Sequence, residues 1–431
     1  MNSFYNILGR AITTVIQLVY IPLLFNTLGE RDYGLYAITF IIFTNIQLLD
    51  FGIGKATIRL MSIYNRIEQQ KFFYSILFFV LAIFLGVSMI SILFFNVFKS
   101  SFNNNEVYLI SIIWGLLEII KVFFIGVKLF FEKFLEFNIV IVVSEILKFT
   151  LVVLMNFYGF GLFELLIGFC IISLLQTLYY LIRFKFYFLM PFKRGYLSVK
   201  FILENFQVYK DLTLSNLIFK TNFTIDKLAV WMIGSQEILA RYYLAMQVIS
   251  KASEFPQNVM IGFNSKIAIH SNRQNKSSDS ALIFIKKSLV YSLLIIFSGT
   301  IFFELIGDFL LPLVLNEYNN DISNYISLLL YTLPFGVVTM QITNVLNMAG
   351  NLIKMIHIQI IQISLVIIGI IIIGNKLNVE NLIYLFIITN FLVSLFASVK
   401  LINWNIHLKG FLLIIYCLIL IFQLCLHSLT S

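Results

Sequence analysis

The chain has 431 residues, of which 60% are hydrophobic and 12% charged, with only 5 prolines. A soluble domain carries about 25% charged residues, and polar surface must cover every face that meets water. The composition therefore excludes a soluble globular enzyme, a disordered chain and a secreted disulfide scaffold. Thirty Lys and Arg against 21 Asp and Glu give a formal charge of +9. In a membrane protein the question becomes which loops hold that excess.

The apolar residues form long continuous runs rather than alternating, which argues against a transmembrane β-barrel and predicts an all-α polytopic membrane protein. In chain order, runs of spanning length cover 5–28, 34–64, 72–98, 107–131, 137–157 and 162–189. After a polar, basic stretch they resume at 209–233, 240–268, 282–311, 322–350, 352–374 and 379–402, and a thirteenth run covers 408–428. The 34–64 run is long enough to bend or to leave the bilayer. The first run is too long for the hydrophobic region of a cleavable signal and lacks a small-residue cleavage site. Pro22 lies inside it, removes one backbone hydrogen bond and favours a kink. Cys170, Cys417 and Cys425 have no CxxC spacing and read as small buried apolar residues, and the four histidines form no metal-ligand pattern. No metal or other cofactor is expected, and the basic excess is accounted for without nucleic acid.

Charge placement orients the chain. With the N-terminus in the cytoplasm, eighteen Lys and Arg fall at inner ends and loops, from Arg59, Arg66, Lys71, Lys128 and Lys133 through Lys193 and Arg194 to Lys400 and Lys409. The outer loops hold four: Arg31, Lys99, Arg241 and Lys376. That asymmetry follows the positive-inside rule and depends on the count of spans, since a missed helix would scramble it downstream. The outer connections are too short to fold into a domain. The larger inner connections are Met190–Tyr209 and His270–Ser280. The first is the expected boundary between an N-lobe (1–190), a cytoplasmic linker (191–208) and a C-lobe (209–403), with 408–428 added at the end.

The two halves show a weak repeat. Leu28-Gly29-Glu30 followed by Tyr33-Gly34-Leu35-Tyr36-Ala37 parallels Ile233-Gly234-Ser235-Gln236-Glu237 followed by Arg241-Tyr242-Tyr243-Leu244-Ala245. Each reads as a helix, a glycine stop, a short acidic outer loop and an aromatic-small start to the next helix. Six helices per half would make the repeat parallel, with its axis along the membrane normal.

Residues 22–29 (Pro22-Leu23-Leu24-Phe25-Asn26-Thr27-Leu28-Gly29), Tyr33-Gly34-Leu35-Tyr36, Leu49-Asp50-Phe51-Gly52-Ile53-Gly54 and Arg59 resemble the opening of the O-antigen and related polysaccharide flippases. These belong to the multidrug/oligosaccharidyl-lipid/polysaccharide exporter superfamily. Asn222 to Lys227, Gly234 and Tyr242-Tyr243-Leu244-Ala245 resemble the start of that family's second lobe, with Arg241 where a glycine is expected. The resemblance implies two six-helix lobes around a central cavity, working by alternating access. It also implies the cargo: an undecaprenyl-diphosphate-linked oligosaccharide, such as an O-antigen unit of lipopolysaccharide, moved from the inner to the outer leaflet of a bacterial inner membrane. Membrane lipids and other polysaccharide assembly proteins are then the expected partners.

Ionisable residues at membrane depth are costly, so each is a candidate for function. Glu118 and Lys121 in the fourth run, and Glu145 and Lys148 in the fifth, are i,i+3 pairs that share a helix face. Lys220, Asp226 and Lys227 lie in the seventh run, Asp50 and Lys55 in the second and Arg10 in the first. One reading is mutual neutralisation that lets each helix insert. The other is a cationic substrate site of Lys121, Lys148, Lys220, Arg10 and Lys55, suited to a diphosphate that sheds water, with Glu118, Glu145, Asp226 and Asp50 carrying H+ or Na+ as the coupling ion. Arg10 and Lys55, near an inner membrane end, also suit snorkelling to lipid phosphates.

Two other functions compete with this one. A drug or cation antiporter of the same superfamily favours an acidic cavity, and this set is not clearly acidic. A membrane enzyme such as a polysaccharide polymerase needs a large loop that the outer connections do not offer. Neither a GxxxxGK[ST] phosphate loop nor a catalytic triad pattern is present.

Overall fold

A computed structural model describes residues 2–50, 52–54, 57, 61, 65–97, 105–130, 134–187, 206–272, 279–315, 319–348, 352–374, 378–402 and 408–430. The described residues are helical and contain no strand. The helices are α1 (Asn2–Ile46), α2 (Arg66–Val97), α3 (Asn105–Phe130), α4 (Phe134–Tyr158), α5 (Leu162–Tyr187), α6 (Phe206–Ile233), α7 (Gln236–Asn272), α8 (Asp279–Val314), α9 (Asn320–Leu330), α10 (Leu333–Met348), α11 (Leu352–Ile373), α12 (Val379–Ile402) and α13 (Lys409–Thr430).

Local chemistry sets the helix ends. Asn65 accepts from the Ile67 and Glu68 amides at 3.1 and 3.0 Å, and the Glu68 carboxylate accepts from the Asn65 amide at 3.1 Å. That reciprocal pair satisfies donors that the first turn of α2 leaves open. Asn319 caps α9 through the Asp321 amide, and Asn378 caps α12 through the Asn381 amide. Gly159 (φ 68) and Gly374 (φ 49) follow α4 and α11 in the left-handed conformation that a Cβ disfavours.

Among the described residues, eight helices are long and apolar enough to cross a membrane, one of them the 40-residue stretch Ala11–Asp50, which continues from α1 past Ile46. The pair α9–α10, bent by 43°, raises the number to nine. The chain is a multi-pass helical membrane protein. α6 and α7 occupy the expected runs at 209–233 and 240–268 and are long enough, but they do not pass on apolarity. Lys220, Asp226 and Lys227 on α6, and Arg241, Lys251 and Glu254 on α7, supply the polarity. α1 runs through Pro22, and its non-helical residue is Gly29 (φ 72, ψ 168), at the glycine stop that the repeat marks. Gly234 likewise separates α6 from α7. The long second run breaks where its glycines lie: α1 stops at Ile46, a 3-10 turn covers Gln47–Asp50, and Gly52 has φ 67.

The chain divides into two compact units. Unit 1 comprises Met1–Tyr20 and Thr27–Thr224; unit 2 comprises Ile21–Asn26 and Ile225–Ser431. The division falls inside α6, which continues without a break through Thr224. Residues 188–205, which include most of the expected 191–208 linker, lie outside the described residues.

In unit 1, α3 packs on α2, α4, α5 and the 3-10 turn. Its core holds Ile53, Met61, Phe72, Phe73, Leu116, Phe123, Phe124 and Val127. Backbones come close where α3 passes Gly54. A Cβ on Gly126 of α3 would lie 2.6 Å from the Gly54 carbonyl oxygen and 3.1 Å from the Gly54 Cα. Backbone cannot yield as a side-chain tip can, so Gly126→Ala is expected to destabilise by about 1–3 kcal/mol, the usual range for overpacking. Gly86→Ala, where a Cβ meets nothing within 4 Å, is the silent control. Melting of the two purified variants checks the pair.

In unit 2, α8 packs on α7, α9, α10 and α13, and α12 packs on α9, α10 and α11. The α1 segment of this unit contributes Asn26, whose amide donates to the Val314 carbonyl at 2.7 Å, one of the open acceptors at the end of α8. α13 belongs to the bundle: Leu412, Ile415, Tyr416 and Ile419 lie in the unit 2 core, and the Gln423 amide donates to the Tyr331 carbonyl at 2.9 Å. Its described apolar stretch, Lys409–Leu424, is shorter than a span.

Candidate functional site

Unit 1 carries a polar network through four helices. The i,i+3 geometry places Lys121 on Glu118 and Lys148 on Glu145, the latter at 2.8 Å. Side-chain exposure is 14% and 12% in the first pair and 16% and 9% in the second, so both pairs are largely withdrawn from solvent. α1 reaches the second pair through Gln17, whose amide donates to the other Glu145 oxygen at 2.9 Å. α5 reaches the first through Ser173, whose hydroxyl donates to Glu118 at 2.9 Å and accepts from the Trp114 indole at 3.1 Å.

Gln176 of α5 links the two pairs. Its carbonyl oxygen accepts from Lys121 at 3.1 Å, and its amide nitrogen donates to the hydroxyl of Ser144, the neighbour of Glu145 on α4. Aromatic rings flank the network. Phe43 stacks on Trp114 at 3.9 Å between centroids, Trp114 lies 5.4 Å from Phe169, and Lys148 sits 6.0 Å over the Phe169 ring. Buried polar groups are costly without partners, and a hydrogen-bonded chain of this kind holds each charge in place.

The remaining candidates are paired elsewhere. Lys220 reaches back across 170 residues to the broken end of α1, donating to the Gln47 carbonyl at 2.5 Å and lying 3.4 Å from Asp50. The other Asp50 oxygen accepts from the Gly52 amide at 2.9 Å. A cation at a helix C-terminus satisfies its last carbonyls and complements the dipole. In unit 2, Asp226 takes Lys227 at 3.2 Å and the Tyr242 hydroxyl at 3.1 Å, and Arg241, where the family resemblance leads one to expect a glycine, takes Asp321 at 2.9 Å. The Arg10 side chain and the whole of Lys55 lie outside the described residues.

The structure thus brings Glu118, Lys121, Glu145 and Lys148 together and ties Lys220 to Asp50, with Asp226 in unit 2. Charge alone could not reveal Gln17, Ser144, Ser173 and Gln176, because neutral polar residues in an apolar run also make ordinary helix contacts. The spacing of Ser173 and Gln176, one turn apart on α5, was the available signal. Lys128, one of the charges assigned to the inner helix ends, has a side chain only 1% exposed. It pairs with Glu136 at 2.7 Å and lies 5.0 and 4.9 Å over the Tyr179 and Tyr180 rings. Glu136 also takes the Tyr179 hydroxyl at 2.6 Å and Arg183 at 3.3 Å, so α3, α4 and α5 are stapled at one end.

A bundle of apolar helices with ion pairs buried among them defines a polytopic membrane protein. The sequence model of the polysaccharide biosynthesis protein family matches residues 1–255, more than half of the chain, and the chain belongs to that family. Among solved structures, it is similar to the lipid II flippase MurJ in an inward closed conformation, with TM-score 0.73 and 17% identity over 98% of each chain. It is also similar to an inward-facing multidrug resistance MATE transporter of the MOP superfamily, with TM-score 0.69 and 12% identity over 93% of this chain and 99% of that one. A MOP superfamily transporter from Pyrococcus furiosus gives TM-score 0.68 and 12% identity over 92% and 93%. At these identities the likeness shows the MOP-transporter fold alone. No curated protein sequence matches the chain.

Proposed function

We propose that the protein is a flippase that carries an undecaprenyl-diphosphate-linked oligosaccharide, an O-antigen or similar surface polysaccharide unit, from the cytoplasmic to the outer leaflet of a bacterial inner membrane. The observation that carries the reading is that the polysaccharide biosynthesis match covers residues 1–255, the part that holds the whole unit 1 network. The fold it shares with a lipid II flippase supports the same class of cargo. In this reading the N-terminus is cytoplasmic, where the basic residues concentrate. Lys121 and Lys148 receive the diphosphate as compact point charges, and Glu118 and Glu145 exchange the coupling ion. Lys220 and Asp50 hold the broken end of α1, and Arg10 and Lys55 extend the cationic set. The protein moves its cargo without breaking a covalent bond.

Proteoliposomes test the reading. Purified protein is expected to move a fluorescent undecaprenyl-diphosphate oligosaccharide between leaflets, and cells lacking the gene are expected to retain that intermediate and lose surface glycan. Unchanged surface glycan together with rising sensitivity to cationic drugs would select the antiporter instead.

A further inference from the structure

We propose that the unit 1 network loads its cargo by exchange: each phosphate charge displaces one carboxylate from its lysine, and the displaced carboxylate takes up one proton from water. This rests on the flippase reading and deepens it, by naming the charge of the headgroup and the ion that accompanies it. The starting point is electroneutrality. Before loading, Lys121 is held by Glu118 and Lys148 by Glu145, two cations with two anions. No net positive charge waits for an anion there.

A diphosphate esterified at both ends carries one ionised oxygen per phosphorus, hence two negative charges. Such a group entering a site withdrawn from water would leave four negative charges against two positive ones. Two protons remove the excess. In each step an ammonium–carboxylate contact breaks, an ammonium–phosphate contact forms, and a carboxylate oxygen gains an O–H bond to a solvent proton. The loaded site is again neutral, with two lysines on two phosphate charges and two carboxylic acids beside them.

The surroundings favour a proton over a metal cation. The side chains on these two carboxylates are donors: the Gln17 amide and Lys148 on Glu145, and the Ser173 hydroxyl and Lys121 on Glu118. A sodium ion needs several oxygen lone pairs directed at it, whereas a proton needs one. Gln176 makes the pairs one unit, since it accepts from Lys121 and donates to the residue beside Glu145. Among the described residues, the titratable groups that interact electrostatically with the carboxylates from other helices are Lys121 on α3 and the phenols of Tyr20 and Tyr36 on α1 with Glu145, and the Cys170 thiol and Tyr180 phenol on α5 with Glu118. Phenols and thiols are ordinarily neutral at pH 7 and lysine is ordinarily already protonated, so protons taken up on loading go to the two glutamates.

Calorimetry in nanodiscs tests the exchange, with farnesyl-diphosphate-linked N-acetylglucosamine as the probe and buffers of different ionisation enthalpy. Expected is an uptake approaching two protons per probe at pH 7 and, by linkage, an affinity that falls about a hundredfold per pH unit above neutrality. The singly charged farnesyl phosphate ester of the same sugar is expected to take up one. Glu118→Gln and Glu145→Gln, which keep the shape and one hydrogen-bonding oxygen, should each bind the diphosphate probe with one proton fewer, their melting temperatures reporting that the fold is kept. Binding without proton uptake, uptake unchanged in both variants, or binding that requires sodium would overturn the exchange and leave the flippase reading standing. Absence of binding at every pH by the folded protein would overturn the flippase reading and the exchange with it.

Discussion

Lys148→Met is expected to abolish surface glycan while leaving the protein in the membrane. Its ammonium lies 2.8 Å from Glu145 and over the Phe169 ring, a structural role to which the proposed function adds contact with the cargo. A hydrogen bond to a charged group is worth about 1.5–3 kcal/mol, hence roughly tenfold to over a hundredfold in transport if it is made to the cargo. The same change strands Glu145, and breaking a buried pair by removing one partner costs about 3–5 kcal/mol. The double change Glu145→Gln/Lys148→Met separates the roles. With no stranded charge, melting is expected to return toward that of the unaltered protein, while glycan export stays lost. Normal glycan in the single variant, or export recovered along with stability in the double one, would reduce the pair to a device for helix insertion.

Removing the buried charge at Lys128 is expected to damage folding rather than transport chemistry. Lys128→Met keeps the length and apolar stem of the side chain, but withdraws the ammonium from Glu136 and from two tyrosine rings. The expected loss is about 3–5 kcal/mol, toward the lower end because Arg183 remains 3.3 Å from Glu136. Export should fall only as the amount of folded protein falls, and Lys128→Met/Glu136→Gln should recover most of the stability. Thermal melting in detergent, read beside glycan output per folded molecule, distinguishes this from Lys148. An unchanged melting temperature for Lys128→Met would refute the staple joining α3, α4 and α5.

The contrast between these two lysines shows where sequence reading stops. Both stand in apolar runs with an acidic residue within reach along the chain. Lys148 was marked by its i,i+3 partner and proves to hold it. Lys128, near the end of a run, counts in the sequence only as one of the inner basic residues. Its partners come from the start of α4 and from α5, up to 52 residues away, and nothing local announces them. Gln176 was equally silent, because a glutamine in an apolar run has no formal charge to account for and shows its use only when α3 and α4 lie beside it.

Sequence alone determined the class of the protein, the order of its apolar runs and two of the places where the main chain breaks, at Gly29 and after Asp50, though not the bend between α9 and α10. Those follow from properties carried along one strand of chain: the length of an apolar run against the thickness of hydrocarbon, the freedom of Gly29 and Gly52 to take positive φ, and the i,i+3 spacing that pairs Lys121 with Glu118. The tertiary structure decided which charges share a site and where one compact unit gives way to the next. Lys220 meets a helix end 170 residues earlier, Gln17 meets a carboxylate 128 residues later, and the division falls within a continuous α6. Such contacts depend on which faces of which helices pack together, and in a chain this apolar nearly every face is suitable for packing, so side-chain chemistry leaves the choice to the fold.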